Sequence, residues 1–515
     1  MRNFRIKWIN ALVLLAGFVL CPADAWSQTR RAFLAGLYDA RVEAREARNE
    51  AEKAEFLLKS GLVTDAPGDL ASPVARREAL RWCVQSLGLA FEAEMLAGTN
   101  PNSGFQDAGR LTDFERGCLA IATRMKPRLF DQGQNFSGAK PLSDKDSAVL
   151  LQRVRKIGRE GLTLDATLTP LTGLTLWLHR DGVPSGVPRW RVRVDGFKDQ
   201  EAALAAQKSF KSQGIEMQAI HPLYEWFLRT PLLDDYGQAR RVMSVAGKRG
   251  LRTRALPSLS NPAMELAPRY WAMLTINPDY WQMVPAIPRD GPRSLAPMSR
   301  IVKENGLGAG INAGFFAVTA KDTGYPIGAL KHEGELLNRP YAGRSCLGWN
   351  DNDEFLLGLL GPEDSIETGD AGGQQPLAPQ DWSLEALESG GGAEGWAAMP
   401  YVIQAGPLLL DDGQPCRDPE GFNNALTSAR HPRSVVGLTK EGCWFFLAVD
   451  GRNGLHASGA TLSELTEILR QCGAVCALNL DGGGSTELVV NGRIYNSVSE
   501  GKERSVSYGL GVRPR

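Results

Sequence analysis

The segment Ala477-Leu478-Asn479-Leu480-Asp481-Gly482-Gly483-Gly484-Ser485-Thr486 constrains this chain more than any other. A buried apolar strand runs straight into a carboxylate, three glycines and two hydroxyls, and a second apolar strand, Leu488 to Val490, follows. Consecutive glycines inside a core pattern cost backbone entropy, so the turn must need a close approach or a positive φ. Successive amides in such a turn can form an anion-binding concavity, with Ser485 and Thr486 adding donors. Asp481 would repel that anion unless it acts on a neighbouring bond or is paired with arginine. The bland alternative is a tight hairpin in a β-rich protein.

Upstream, Phe445 to Val449 reads as a buried strand ending in Asp450-Gly451-Arg452. Thr461 and Glu464 form a capping box that opens a helix from Leu462 to Gln471. A strand, a crossover helix and a strand ending at Asp481 predict parallel neighbours, with Asp450 and Asp481 on one rim. Two carboxylates on one site suit glycosyl transfer, in which one handles the leaving oxygen and the other attacks or activates water. Otherwise Asp450 is an ordinary turn aspartate before glycine. Arg433, Arg452 and Arg504 offer planar forks for a phosphate, although any one of them reads equally well as a structural ion pair. Asn312, at the end of the apolar stretch beginning at Ile311, is a candidate hydroxyl reader.

Taken in order, Asn312 to Phe316, Tyr325 to Gly328, His431 to Arg433, Val449 to Arg452, Asn479 to Ser485 and Glu503-Arg504 resemble the motif set of the phosphodiester glycosidase family. The resemblance runs from Pro268 to Arg515, about half the chain. It implies hydrolysis of a sugar–phosphate diester at the anomeric carbon. On that reading Asp450 and Asp481 share the nucleophile and acid/base duties. The substrate is held by Asn312, Arg433, Arg452, Asn479, Gly482, Gly483, Gly484, Ser485, Thr486 and Arg504. A sugar 1-phosphate leaves as a stable anion, so the arginines matter more than a general acid. No metal or other cofactor is demanded. Ala313 stands where the family pattern has glycine, and Glu487 where a smaller residue is expected.

The remaining chain is of different material. At 515 residues it is too long for one core. Its 58 Lys+Arg against 58 Asp+Glu exclude a polybasic nucleic-acid binder. Residues 1–25 read as a secretory signal peptide. Arg2, Arg5 and Lys7 precede the apolar run Ala11 to Leu20, and Ala23-Asp24-Ala25 offers a cleavage site before Trp26. The expected location is therefore periplasmic or extracellular, with a retained N-terminal anchor as the alternative. Residues 26–175 read as helical, a packing or partner-docking region in which Cys83 and Cys118 could staple two helices after export. The spacing Cys472 to Cys476 lacks the second pair a zinc site needs.

Residues 185–257 carry an internal repeat at an offset of 36, with Trp190, Arg193, Asp199, Ala203, Gly214 and Ala219 recurring as Trp226, Arg229, Asp235, Ala239, Gly250 and Ala255. Two strand–helix–strand copies predict a ferredoxin-like split sheet. The first copy resembles the SPOR domain, an envelope module that binds peptidoglycan glycan strands; the other reading of these residues is a structural spacer. Residues 265–515 then form a mixed-sheet α/β or α+β glycosidase domain. It is interrupted by an acidic insertion, 361–395, with eight carboxylates and no Lys or Arg. The expectation is a multidomain exported hydrolase acting on sugar-1-phosphodiesters in envelope or exopolysaccharide glycans. The alternative is a non-catalytic glycan-binding or exopolysaccharide-assembly protein.

Overall fold

The computed structural model describes residues 27–42, 48–65, 68–97, 105–131, 133–221, 226–259, 267–319, 323–341, 343–359, 396, 399–416 and 420–515. Residues 1–26, which include the expected signal peptide and Cys21, and the whole acidic insertion 361–395 lie outside the described residues. The chain divides into two compact units, meeting at Glu160 and Gly161 apart from the short stretch Arg124–Lys126, which belongs to the second. Among the described residues no helix is long and apolar enough to cross a membrane.

The first unit is built on the helices Arg30–Arg41, Glu50–Ser60, Arg76–Ser86, Ala90–Ala97, Asp113–Arg124 and Asp144–Glu160. Local chemistry sets their starts. Thr29 accepts from the Ala32 amide, and Asn49 and Glu52 cap each other's backbone in a capping box. Phe33, Leu34, Leu37, Leu80, Trp82, Ile121 and Val154 are buried at helical spacing and form the core. Cys83 and Cys118 are not stapled: both are free thiols, packed as small apolar core side chains, and burial pushes both thiol pKa values up. All seven cysteines among the described residues are free.

Helix gives way to strand earlier than the expected boundary at 175. Thr163–Leu171 and Leu174–Asp181 form an antiparallel hairpin in the second unit. Leu164 and Ala166 on one strand, and Leu174, Leu176 and Leu178 on the other, are buried at alternate positions, which is the period of a strand.

This hairpin is one edge of an eight-stranded sheet whose neighbours are all antiparallel. Its order continues with Arg269–Ile276, Trp444–Val449, Arg433–Thr439, Ala474–Asn479, Leu408–Asp411 and Gln414–Pro415. Asp181 lies opposite Arg269 in the register and takes its guanidinium, with Nε 3.0 Å from Oδ1. The helix Leu462–Gln471, started by the Thr461–Glu464 capping box, packs Leu465, Ile468 and Leu469 onto Trp271, Val435, Phe445, Leu447 and Ala477. Two five-stranded antiparallel sheets complete the C-terminal domain. One includes Ala309–Asn312 and Leu488–Val490, the other Ser345–Trp349 and Tyr401–Gln404.

The strands Trp444–Val449 and Ala474–Asn479 are not neighbours. Arg433–Thr439 lies between them, antiparallel to both, because a short hairpin joins it to Trp444–Val449 before the helix begins. The two outer strands therefore run the same way and end at the same edge. Val449 faces Arg433, and Asn479 faces Val435. That register brings Arg433, Asp450 and Asp481 to one rim.

Between Leu174–Asp181 and Arg269–Ile276 the chain makes a separate four-stranded antiparallel sheet, in the order Gln218–Ile220, Trp226–Arg229, Pro188–Phe197, Arg252–Leu259. The helices Gln200–Lys211 and Tyr236–Gly247 cover one face, burying Trp190, Val192, Val194, Phe210, Leu228 and Val242.

Candidate active site

A cavity of about 370 Å³ opens at the rim that the register defines. Its floor is Asn479, Leu480, Asp481 and the glycines Gly482 to Gly484. Its walls are Arg433, Arg452 and Arg504, with the loop Asn423 to Pro432 on the remaining side. The volume suits a small polar ligand.

Asp481 is half-buried at the bottom of this cavity. Burial raises its carboxyl to about 6, although hydrogen bonds from Ser485 and the Gly482 amide, and the charges of Arg504 and Arg452, favour the ionised form. It is the only carboxylate among the residues lining the cavity. The sheet beneath holds it rigidly. Asn312 Nδ2 donates to the Asp481 carbonyl (2.5 Å), while Asn312 Oδ1 accepts from Ser434 Oγ (2.7 Å) and the Glu487 amide (3.1 Å). Asn312 is thus a buried brace under the loop, not a hydroxyl reader in the cavity.

The glycine turn does not present the free amide concavity its composition suggests. The Gly483 amide donates to Pro432 O (2.9 Å) and the Ser485 amide to Gly482 O (3.2 Å), while Gly482 serves Asp481. What the glycines provide is room. A side chain at Gly484 would run into the guanidinium of Arg504 and the carboxylate of Glu500. Ser485 and Thr486 are buried behind the turn, where Ser485 Oγ accepts from Arg504 (3.4 Å). The asparagine at 479 does line the cavity, but its Nδ2 donates to the Gly406 and Leu480 carbonyls (2.8 and 3.0 Å).

The three arginines hold different posts. Arg433 is buried and donates to the carbonyls of Ala460 (2.9 Å), Leu426 (2.6 Å) and Ala429 (3.0 Å), so it also clamps the cavity-wall loop. Arg504 is held by Glu500. Arg452 carries a left-handed backbone (φ 60°), a strained conformation for a side chain of this size, and reaches His431 Nδ1 (3.3 Å). Burial and, after it, a neighbouring guanidinium lower the pKa of Arg433, to about 10, and of Arg452. Crowded cations that depress one another call for an anion. His431, which motif reading passed over as part of His-Pro-Arg, lines the cavity as a neutral ring. Its Nε2 lies 3.0 Å from Ala425 O, and burial and the two arginines lower its pKa.

Asp450 is brought to the rim but turned away from the cavity. Its Oδ2 lies 2.7 Å from His456 Nε2 and accepts from the Ser497 amide (2.7 Å) in a buried pocket of its own. The reason is local: Asn453 folds residues 453–457 into a turn that returns His456 beneath the strand end. Glu487, the other acid near the loop, also lies off the cavity. It accepts from the Ser299 amide (3.2 Å) and faces Glu503, and burial and that second carboxylate raise it to about 10.

A carboxylate raised toward neutrality and ringed by guanidinium groups at a strand end is the kind of perturbed, charged cluster that marks a functional site for an anionic ligand. Residues 305–513 match the sequence model of the phosphodiester glycosidase family. The chain is 27% identical over 193 residues to N-acetylglucosamine-1-phosphodiester alpha-N-acetylglucosaminidase of Mus musculus, covering 37% of this chain and 33% of that protein. The Bos taurus enzyme of the same name is 25% identical over 209 residues, 40% of this chain and 35% of that one. A prophage-derived uncharacterized protein of Bacillus subtilis is 35% identical over 101 residues, 20% of this chain and 15% of that one. The chain thus spans about a third or less of the length of these relatives. Among solved structures, the catalytic domain of the zebrafish N-acetylglucosamine-1-phosphodiester alpha-N-acetylglucosaminidase is similar with a TM-score of 0.36 and 18% identity, over 48% of this chain and 78% of that one.

Proposed function

We propose that this protein hydrolyses a sugar-1-phosphodiester at the anomeric carbon. The observation that carries the reading is Asp481 at the bottom of a cavity walled by Arg433, Arg452 and Arg504. The guanidinium groups hold the phosphate and stabilise the charge it gains as the bond from C1 to oxygen breaks. The bond's electron pair leaves with the phosphomonoester, and water supplies the hydroxyl that C1 keeps. Asp481, ionised above about pH 6, serves C1 as base or nucleophile. A phosphomonoester is a good leaving group, so a second carboxylate in the cavity is not required.

The cellular setting belongs to the same proposal. The signal-peptide pattern of residues 1–25 supports export to the periplasm or beyond, onto envelope or exopolysaccharide glycans. The strand order of residues 188–259, a ferredoxin-like arrangement, supports a SPOR-like module that keeps the enzyme near glycan strands, peptidoglycan among them. The helical first unit serves as a packing or docking region.

The test is turnover of a panel of sugar-1-phosphodiesters by the purified chain, with released sugar and phosphomonoester identified by mass. Hydrolysis by the wild type, abolished in Asp481→Asn, supports the reading; full activity in the variant overturns the role of Asp481. The withdrawal of Asp450 favours one other reading, a glycan-binding protein without turnover. In that case both proteins would bind the diesters and neither would cleave them.

A further inference from the structure

The four-stranded sheet of residues 188–259 has a second face, opposite its helices, and that face is basic. Arg229 lies directly opposite Arg193, and Arg193 directly opposite Arg254, so three arginines stand in one row across adjacent strands, the middle one buried and the outer two more accessible. At the next positions on the same face stand Arg191 and, opposite Asp195, Arg252. Asp195 neutralises only Arg193 (Nε to Oδ1, 2.8 Å), which also lies over the Phe227 ring, 3.9 Å from its centroid. Arg191, Arg229, Arg252 and Arg254 form no ion pair with any described residue, and Arg191 Nε is buried without a partner. The pKa of Arg229 is lowered by burial and then by the charge of Arg191. Like charges set directly across strands destabilise a sheet, so this arrangement persists at a cost that an anion would remove.

The row touches the loop that carries Arg504, one of the cavity's lining residues. Arg254 Nη1 donates to the Gly501 carbonyl (2.8 Å), and a side chain at Gly501 would meet the Arg254 Cδ at 2.7 Å. Gly501 follows Glu500, the residue that holds Arg504 in the cavity wall. Three adjacent strands span roughly 10 Å, so the row itself has room for more than one anion.

We propose that this face is an extended subsite for a glycan whose units are themselves joined by phosphodiesters, so that one phosphate sits among Arg433, Arg452 and Arg504 while others of the same chain lie on the arginine row. The inference rests on the phosphodiester reading of the cavity and narrows its substrate from a single diester to a polyanionic chain. A neutral glycan strand would leave the row unpaired.

The experiment compares the full chain with Arg191→Gln/Arg229→Gln on two probes, a six-unit oligomer of N-acetylglucosamine 1-phosphate and its single methyl diester. The expected result is a loss of about tenfold or more in kcat/KM for the oligomer, with single-diester turnover within about twofold of wild type. Equal effects on both probes, or none on either, overturn the proposal. Binding of the labelled oligomer to an Asp481→Asn background separates this from failure of the catalytic reading. If neither probe is cleaved, weaker, less salt-dependent oligomer binding after the arginine changes still supports the face, and unchanged binding overturns it. Should the double variant misfold, Arg229→Gln alone is read the same way. Tighter binding of neutral peptidoglycan strands than of the oligomer also overturns it.

Discussion

Asp450 Oδ2 and His456 Nε2 lie 2.7 Å apart, both buried, and this pairing takes a carboxylate out of the candidate chemistry. Removing one partner of a buried pair leaves the other uncompensated, so Asp450→Ala should cost about 3–5 kcal/mol of stability. Asp450→Asn, which keeps the shape, should retain turnover within about tenfold. Denaturation curves and kcat/KM for both variants check this. A loss in Asp450→Asn as deep as in Asp481→Asn would return Asp450 to the reaction.

Asp481 links activity to stability with opposite signs. Its folded carboxyl stands near 6, above the unfolded value, so the folded state holds a proton that the unfolded chain has already lost between about pH 4 and 6. Stability therefore falls as pH rises through that window, while activity, which needs the anion, rises near pH 6. Asp481→Asn should gain about 1–2 kcal/mol at pH 7 and lose about 10³-fold in turnover. Urea melts at pH 4 and pH 7 should show the gain only at the higher pH.

Arg433 and Arg504 should separate kinetically. Arg433 satisfies three backbone carbonyls, so Arg433→Ala should lower stability by about 2–4 kcal/mol and loosen the wall from Asn423 to Pro432. Arg504 is paired with Glu500 beside the cavity. Arg504→Ala should leave stability within about 1 kcal/mol and cut kcat/KM about 10²–10³-fold. Thermal melts run beside kinetics on each variant would show whether the two costs divide this way.

Buried Glu487 faces the partly exposed Glu503, and Glu487 keeps its proton to about pH 10 because of burial and its acidic neighbour. The unfolded chain gives that proton up in the ordinary carboxyl range, so stability should decline as pH rises from there toward 10. Glu487→Gln mimics the protonated acid and should flatten the decline between pH 6 and 9, measured by denaturant midpoint.

Much of this site could be read from residue order. Apolar runs ending in Asp450 and Asp481 are strands that end at one rim, and the Thr461–Glu464 box starts its helix at Leu462. Those signals are local, and local patterns report strand ends and caps well. Side-chain direction past a strand end is another matter, because it depends on how the following loop folds back. The turn from Asn453 to Ala457 decides where Asp450 points, and nothing in the Asp-Gly-Arg spelling discloses it. Strand adjacency was hidden for a similar reason: the hairpin joining Arg433–Thr439 to Trp444–Val449 inserts a strand that a strand–helix–strand reading skips. Asn312 and His431 carry their roles through contacts more than a hundred residues away, or through a tautomer fixed by a carbonyl.

The pairing of Asp181 with Arg269 has a practical consequence. Because adjacent strands of the large sheet lead out to and back from the 188–259 lobe, its two roots stand side by side. A short hairpin turn could therefore bridge them, excising the lobe genetically while leaving the eight-stranded sheet uncut.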